Sequence, residues 1–558
     1  MKALLLIISL YTLLAFGVLN SSHGKNTNFN YNAKNISNYF SASLSFGNHD
    51  HKKSHEFFKQ IRDPNKDNSS HASKHIRSLI NLNKFNEAVR YSRVLENKKK
   101  SNFESRLILG LNEFKNGNFL KANIYFDKLE LSFDHQMVFN VIQTTLKNWT
   151  TIEKKGIEIM EVVPEKYNNF TVIQSTLAHC YFGSPLTEKK FLEIVENNEN
   201  NFSRYYFFYA NYLFNKNNVS KATEIINFAS QKYPKNLLIN QYKKTINKKQ
   251  KNYNKFDCSK KNHIVAEIFY VIANALSTQG NYELSNFYVN LSKYLNPAFL
   301  SYESLIAENL FILKKYDQSQ KIYNKLSTTG SVYKWYSDKQ ISYILYAQKK
   351  EEESLNFLKK SFESIKPDVY EIFDFANFLK NNKDYEKSIE LYSKILTKID
   401  KGHRLFPKVL DRRGTAYELI KKWDLAERDL LRSLEIEPNQ PYVINYLAYS
   451  WVEQGKNLSE ALDMLKEAND LKKNDGYITD SLGWAYYKLN KFVEAKKYLV
   501  KAITLMPSDP IINDHFADCL WKNNQKIQAR YYWNYVLTLE STEDKLKKNI
   551  ENKLIFGL

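Results

Sequence analysis

Residues 476–509 read GYITDSLGWAYYKLNKFVEAKKYLVKAITLMPSD. Two small residues in this stretch, Gly483 and Ala495, lie twelve positions apart, and both recur along the chain. The first returns as Ala273, Ala307, Ser342, Ala376, Gly414, Ala448, Gly483 and Ala517, at steps of 34, 35, 34, 38, 34, 35 and 34. The second keeps pace as Ser285, Ser319, Ser354, Ser388, Ala426, Ala461, Ala495 and Ala529. A period of about 34 with paired small residues marks a stack of helical hairpins, in which each pair lets two helices cross closely. The expected fold is therefore all-α, a right-handed α-solenoid of about a dozen antiparallel helix pairs.

Working outward, the array runs from 263 to 540, and Pro297, Pro367, Pro438 and Pro507 fall near unit ends, where proline stops one helix or starts the next. A weaker N-terminal array occupies 37–131. There Ala42, Ile76 and Gly110 keep the first spacing, and Ser54, Ala88 and Ala122 the second. Between 132 and 235 the marks drift, and degenerate helical repeats are expected. Residues 236–262 include KKTINKKQKNYNKFDCSKKN, lysine-rich and poor in apolar side chains, which reads as a basic linker between two arrays. The last residues, 541–558, suit a short amphipathic capping helix.

At the other end, Met1 and Lys2 precede an apolar run from Ala3 to Leu19 and then Asn20, Ser21, Ser22, His23 and Gly24. This is the layout of a secretory signal over 1–24, or of an uncleaved N-terminal anchor, followed by a flexible lead at 25–36. An exported chain held in a periplasm or at an envelope is the expectation. Cys180, Cys258 and Cys519 are few, odd in number and far apart, and suggest neither a disulfide framework nor a metal cage.

The 558 residues carry 81 Lys and Arg against 60 Asp and Glu, a net charge of +21, with 15% aromatics and only 15 glycines. The charge could draw nucleic acid, anionic lipid or an acidic partner. The lysines are spread rather than blocked, as on solvated helix faces, and nucleic acid conflicts with export. No Walker-type loop, nucleophile elbow or Cys-x-x-Cys pair is present. His51 and His55 in NHDHKKSHEFF could share a helix face, but no third metal ligand follows at a matching spacing. Asp514 and His515 are adjacent, so they point about 100° apart on a helix and form no dyad by themselves. No enzyme, cofactor or metal is expected.

The unit at 476–509 resembles the tetratricopeptide repeat, with Leu482, Gly483, Tyr486, Ala495, Leu499, Ala502 and Pro507 at that family's marked positions. RRGTAYELIKKWDLAERDLLRSLEIEP is similar through Gly414, Tyr417, Ala426, Leu430 and Pro438, with Ser433 in place of Ala. The text from NYLAYSWVEQG to DPIINDHFADCLWK also looks like the C-terminal array of large exported tetratricopeptide proteins of proteobacteria. The resemblance implies an interaction protein without catalytic residues, and a ligand on the concave face lined by the first helix of each unit.

On that face, the residues three before the small position are Asp411, Asn445, Asp480 and Asp514. Tyr449, Trp484 and Asp518 come one after it, and Tyr487 and Trp521 four after it. Positions i, i+4 and i+7 share a helix face, so these nine form a candidate partner-binding stripe. Carboxylates and amides would bond an extended peptide backbone and aromatics would anchor side chains. The alternative is that the aromatics pack between units and the acids cap helices. The expected function is a scaffold or adaptor of the bacterial envelope that binds a protein or peptide. A membrane-associated accessory factor for polysaccharide or cell-wall assembly, acting through its basic surface, is the second reading.

Overall fold

The computed structural model describes residues 33–61, 69–129, 136–160, 168–197, 201–246 and 255–558. The expected signal and most of the flexible lead lie outside them. Residues 33–36 do not continue that lead, because they open the helix Ala33–Gly47. Among the described residues there are 29 α-helices and no strand, and no helix is long and apolar enough to cross a membrane. The helices follow one another mostly as hairpins, the helical stack that the period predicted. The chain divides into two compact units, Met1–Ile344 and Leu345–Leu558.

The period has a direct steric cause. Ala273, Ala307, Ser342, Ala376, Ala448 and Ala517 are fully buried, as are Ser285, Ser319, Ser354, Ser388, Ala426, Ala461, Ala495 and Ala529. A Cβ added to Gly483 would lie 2.7 Å from Leu499 Cγ and 3.2 Å from the Leu499 backbone nitrogen. At Gly414 it would lie 3.0 Å from Leu430 Cγ and 3.1 Å from the Ala426 carbonyl oxygen. Where serine takes the second position, its hydroxyl can be satisfied within the crossing: Ser319 Oγ donates to the Ala307 carbonyl at 2.8 Å.

A second periodic feature sits in the turns. Seven residues after each small position the backbone is left-handed, at Gly280, Lys314, Lys349, Lys383, Lys421, Gly455, Asn490 and Asn524. The following amide then reaches back five residues to cap the first helix, as in Lys315 N to Leu310 O at 2.8 Å and Asp384 N to Leu379 O at 3.0 Å. The second helix of each hairpin starts at once. Aspartates begin many first helices: Asp368, Asp475 and Asp509 each accept two backbone amides of the opening turn. Pro441 and Pro510 occupy first-turn positions, where no donor is lost.

Two expectations need correction in the first unit. The segment 236–262 is not a bare linker. It holds the helix Leu237–Ile246, which buries Leu238, Ile239, Tyr242 and Ile246, and Lys261 is itself buried. Low apolar content misled because Leu238, Tyr242 and Ile246, spaced four apart, share one buried helix face. The cysteines also behave otherwise than expected, since Cys180 and Cys258 form a disulfide across 78 residues. The second packs beside the helix Asn168–Phe182 although no local spacing links them. Cys519 is free and buried.

The blurred region 132–235 has its own packing. A 20-residue helix, Gln136–Lys155, and a 3-10 turn, Ile157–Met160, break the hairpin rhythm. Farther on, the helix Tyr205–Asn215 buries Tyr205, Tyr206, Phe207, Phe208 and Tyr209. Beside it the half-buried Arg204 makes a two-pronged pair with the buried Glu267, at 2.6 and 2.9 Å, and lies 4.0 Å from the Tyr270 ring centre. Large aromatics and a paired charge fill much of this region, although the hairpin of Tyr205–Asn215 and Val219–Lys232 keeps the small pair Ala210 and Ala222, both fully buried.

Candidate functional site

The nine stripe residues lie on four first helices of the second unit: Phe406–Leu419, Pro441–Gln454, Gly476–Lys488 and Pro510–Lys522. Asp480, Trp484, Asp514 and Asp518 are buried, whereas Asp411, Asn445, Tyr449, Tyr487 and Trp521 are half-buried. The stripe is therefore an inter-helix seam along part of its width.

Trp484 shows why. Its ring stacks on His515 of the next unit, with centroids 3.9 Å apart, and on Tyr487 at 4.5 Å. Its indole N–H donates to Glu453 Oε1 of the preceding unit at 2.6 Å, and Lys488 pairs with the same oxygen at 3.4 Å. One side chain thus ties three successive hairpins. Asp480 takes part in the same seam, with its Oδ2 2.9 Å from His515 Nδ1. Burial works to lower the pKa of His515. The opposing fields of Asp480, Asp514 and Asp518, with the Asp480 hydrogen bond, outweigh it and raise that pKa above the ordinary histidine value. His515 therefore pairs with an aspartate 35 residues away, not with its neighbour Asp514.

The end of the stripe is closed from within. The helix Asp544–Phe556 brings Lys553 onto it, and the Lys553 ammonium lies 2.7 Å from Asp514 Oδ1 and 2.8 Å from both oxygens of Asp518. Asp518 also accepts the Trp533 indole N–H at 3.0 Å. Burial and the Asp514 carboxylate push Asp518 up to about 6, although Lys553 pulls the other way. Trp521 packs against Trp533 and the terminal turn at Gly557. These three stripe positions serve the expected cap. None of the stripe acids caps a helix; that role falls to other aspartates.

Toward the other end the stripe is more open. Asp411 pairs with the exposed Arg412 at 3.6 Å, and burial raises its carboxyl above the usual range. Tyr449 is shifted up by burial and then by Glu453 and Asp480. Asn445 Oδ1 is buried with no hydrogen-bond partner among the described residues.

Sequence reasoning missed the most exposed members of this face. Six residues before the small position stand Tyr442, Tyr477 and Ile511, exposed by 54%, 54% and 47%. Each lies three before the stripe acid or amide and seven before the aromatic or acid, on one helix face. The Tyr442 hydroxyl donates to Asp475 Oδ2 of the next unit at 2.9 Å. The same subtraction that found the acids, extended one turn toward the helix start, would have found this ladder.

The histidines cluster elsewhere. His55 Nδ1 lies 3.1 Å from His75 Nε2 in the first unit, and His71 stacks on Phe58. Among the described residues no three His, Cys, Asp or Glu side chains come together as a metal would need.

The sequence pattern of the tetratricopeptide repeat matches residues 481–509, the hairpin that carries Gly483, Trp484 and Ala495. Residues 481–509 thus form a tetratricopeptide repeat. A TPR repeat-containing protein of Pseudomonas aeruginosa is 30% identical over 139 residues, which span 24% of this chain and 22% of that relative. Among solved structures, a thermophilic tetratricopeptide protein of Thermus thermophilus is 15% identical, with a TM-score of 0.30. It covers 34% of this chain and 100% of its own. The pilF protein of Pseudomonas aeruginosa is 19% identical, with a TM-score of 0.28 over 33% of this chain and 85% of its own. Tetratricopeptide stacks present extended faces of parallel first helices, the geometry of a protein-binding scaffold.

Proposed function

We propose that this tetratricopeptide protein is a non-catalytic scaffold of the bacterial envelope, holding a segment of a protein partner along the first-helix face of residues 441–522. The ladder of Tyr442, Tyr477 and Ile511 carries the reading. It offers one exposed apolar side chain per hairpin at a fixed step, beside half-buried Asn445, Tyr449 and Tyr487. An extended segment could place successive side chains on successive rungs, so that weak contacts add along a preorganised surface. The buried acids and His515 spend their polar groups on each other and on Lys553, which supports a structural rather than catalytic role for them. The Cys180–Cys258 disulfide fits an oxidising compartment and so supports export.

The experiment is affinity capture from envelope extracts with the full chain and with a Tyr442→Ser, Tyr477→Ser, Ile511→Ser variant of unchanged circular dichroism. Selective loss of one protein by the variant is the expected result. Equal recovery by both would sink the ladder as the docking face. Recovery that vanishes with moderate salt in both would instead favour the basic surface. Cell fractionation with and without residues 1–24 tests the location separately.

A further inference from the structure

The first unit contains a cavity of about 720 Å³ between the helices Tyr205–Asn215, Leu237–Ile246 and Lys261–Thr278. One wall is the non-helical segment 255–260, and four attachments hold it. Lys255 N donates to Ala298 O at 3.0 Å, and Asn296 Nδ2 donates to Lys255 O at 3.0 Å. Asn211 Nδ2 donates to Phe256 O at 2.8 Å. Cys258 is bonded to Cys180. A wall pinned at both edges and by a covalent bond is preorganised, so a ligand would not have to order it.

Several of the polar groups that line this space are donors. His263 Nδ1 accepts the Asp257 amide N–H at 3.0 Å. Burial first, and then Lys260, lower its pKa to about 4. A neutral ring that accepts at Nδ1 carries its proton on Nε2 and can only donate there. Tyr242 is 5% exposed, and its hydroxyl makes no hydrogen bond among the described residues. Lys255 and Lys260 are both among the lining residues, and the Lys260 ammonium lies 3.9 Å from Asp257 Oδ2. The carboxylate present, Asp257, is turned into its own loop, where Oδ1 accepts from the amide and hydroxyl of Ser259 at 2.9 and 2.6 Å. Phe214, Ile246 and Phe256 supply an apolar side.

We propose that this cavity binds a small monocarboxylate with an apolar or aromatic body, its carboxylate facing Tyr242, Lys255 and His263. The site is independent of the first-helix ladder of the second unit. It would give the scaffold a small-molecule input alongside a protein partner. A cavity of this size is within the usual range for small-molecule sites.

The test is a titration of the full chain with benzoate by ligand-observed NMR, with benzyl alcohol as the neutral comparator. Benzoate is expected to bind at least about tenfold tighter than the alcohol. A Tyr242→Phe, Lys255→Gln variant is expected to weaken benzoate by at least about tenfold, since hydrogen bonds to charged groups are worth that much. The first change keeps the buried ring and the second is on an exposed side chain, so an unchanged melting temperature is expected. If it falls, Lys255→Gln alone must show a loss of several fold. Absence of benzoate binding to the native chain, equal binding of the alcohol, or full-strength binding by the variants would each overturn the assignment.

Discussion

Lys553 Nζ lies 2.8 Å from each carboxylate oxygen of Asp518, a residue 35 positions earlier on the last full hairpin. Both side chains are buried, and Asp514 shares the ammonium. The terminal helix thus closes the stack with a charge contact and with the apolar packing of Ile550. Lys553→Met should leave two buried carboxylates without their cation. A loss of about 3–5 kcal/mol in local stability is expected, because breaking a buried pair costs far more than the pair adds. Hydrogen exchange over residues 510–556 reads it; unchanged protection there would show that the ammonium is dispensable.

Gly483→Ala should destabilise despite the better helix propensity of alanine. The new methyl group meets Leu499 at 2.7 Å from Cγ and 3.2 Å from the backbone nitrogen, so a helix must move, not only a side chain. Overpacking of this kind costs about 1–3 kcal/mol, against a gain of about 1 kcal/mol in propensity. A melting temperature at or above that of the native chain would contradict the crossing argument.

Lys383→Gly should act the other way. Lys383 sits at φ +65° in a hairpin turn, with no side-chain reason in the turn geometry for a lysine. Left-handed backbone costs an L-residue about 1–2 kcal/mol, and glycine gives back roughly half of that through the unfolded chain. A gain of about 0.5–1 kcal/mol is expected in a denaturant titration. A loss would mean that the turn needs the lysine side chain.

The N-terminal hairpins should weaken in acid. His75 is buried, 3.1 Å from His55 and packed 4.7 Å from the Tyr91 ring. Burial, then His55 and His71, lower it to about 3, and burial lowers His51 to about 4. Lys84 and Glu87, at the start of the helix Phe85–Asn97, act on His55 in opposite directions. Below about 6.5 the unfolded chain takes up protons that these folded rings refuse. The stability they contribute is therefore complete above pH 6.5 and is lost as pH falls toward 3. A fall of about 2–3 kcal/mol for each of His75 and His51 between pH 7 and 4.5 is expected in hydrogen exchange over residues 51–97. His75→Phe should reduce it; an equal fall in that variant would assign the effect to other groups.

The stack of hairpins could be read from the chain because its cause is local and repeated. A small residue is needed where the two helices of these hairpins cross closely, and Gly414, Ala448, Gly483 and Ala517 meet that requirement at steps of 34 or 35. The turns were less visible for a physical reason. Four of the eight left-handed positions carry lysine, which tolerates that backbone at a cost and leaves no glycine or asparagine to mark it.

The candidate site shows the same division. Helical periodicity puts Asp480 with Trp484, and Asp514 with Asp518, on one face of their helices, since that depends only on the rise and turn of a single helix. Whether the face meets solvent or another hairpin depends on how successive units stack, and no i, i+3 or i+4 rule reports contacts across 31 to 35 residues. Trp484 to Glu453, Asp480 to His515 and Lys553 to Asp518 are all of that kind. So is the disulfide, whose cysteines stand 78 residues apart and meet only because the intervening hairpins fold back on one another. Short-range sterics wrote the repeat into the chain; the pairing of charges, rings and sulfurs between units waited on the packing of the whole.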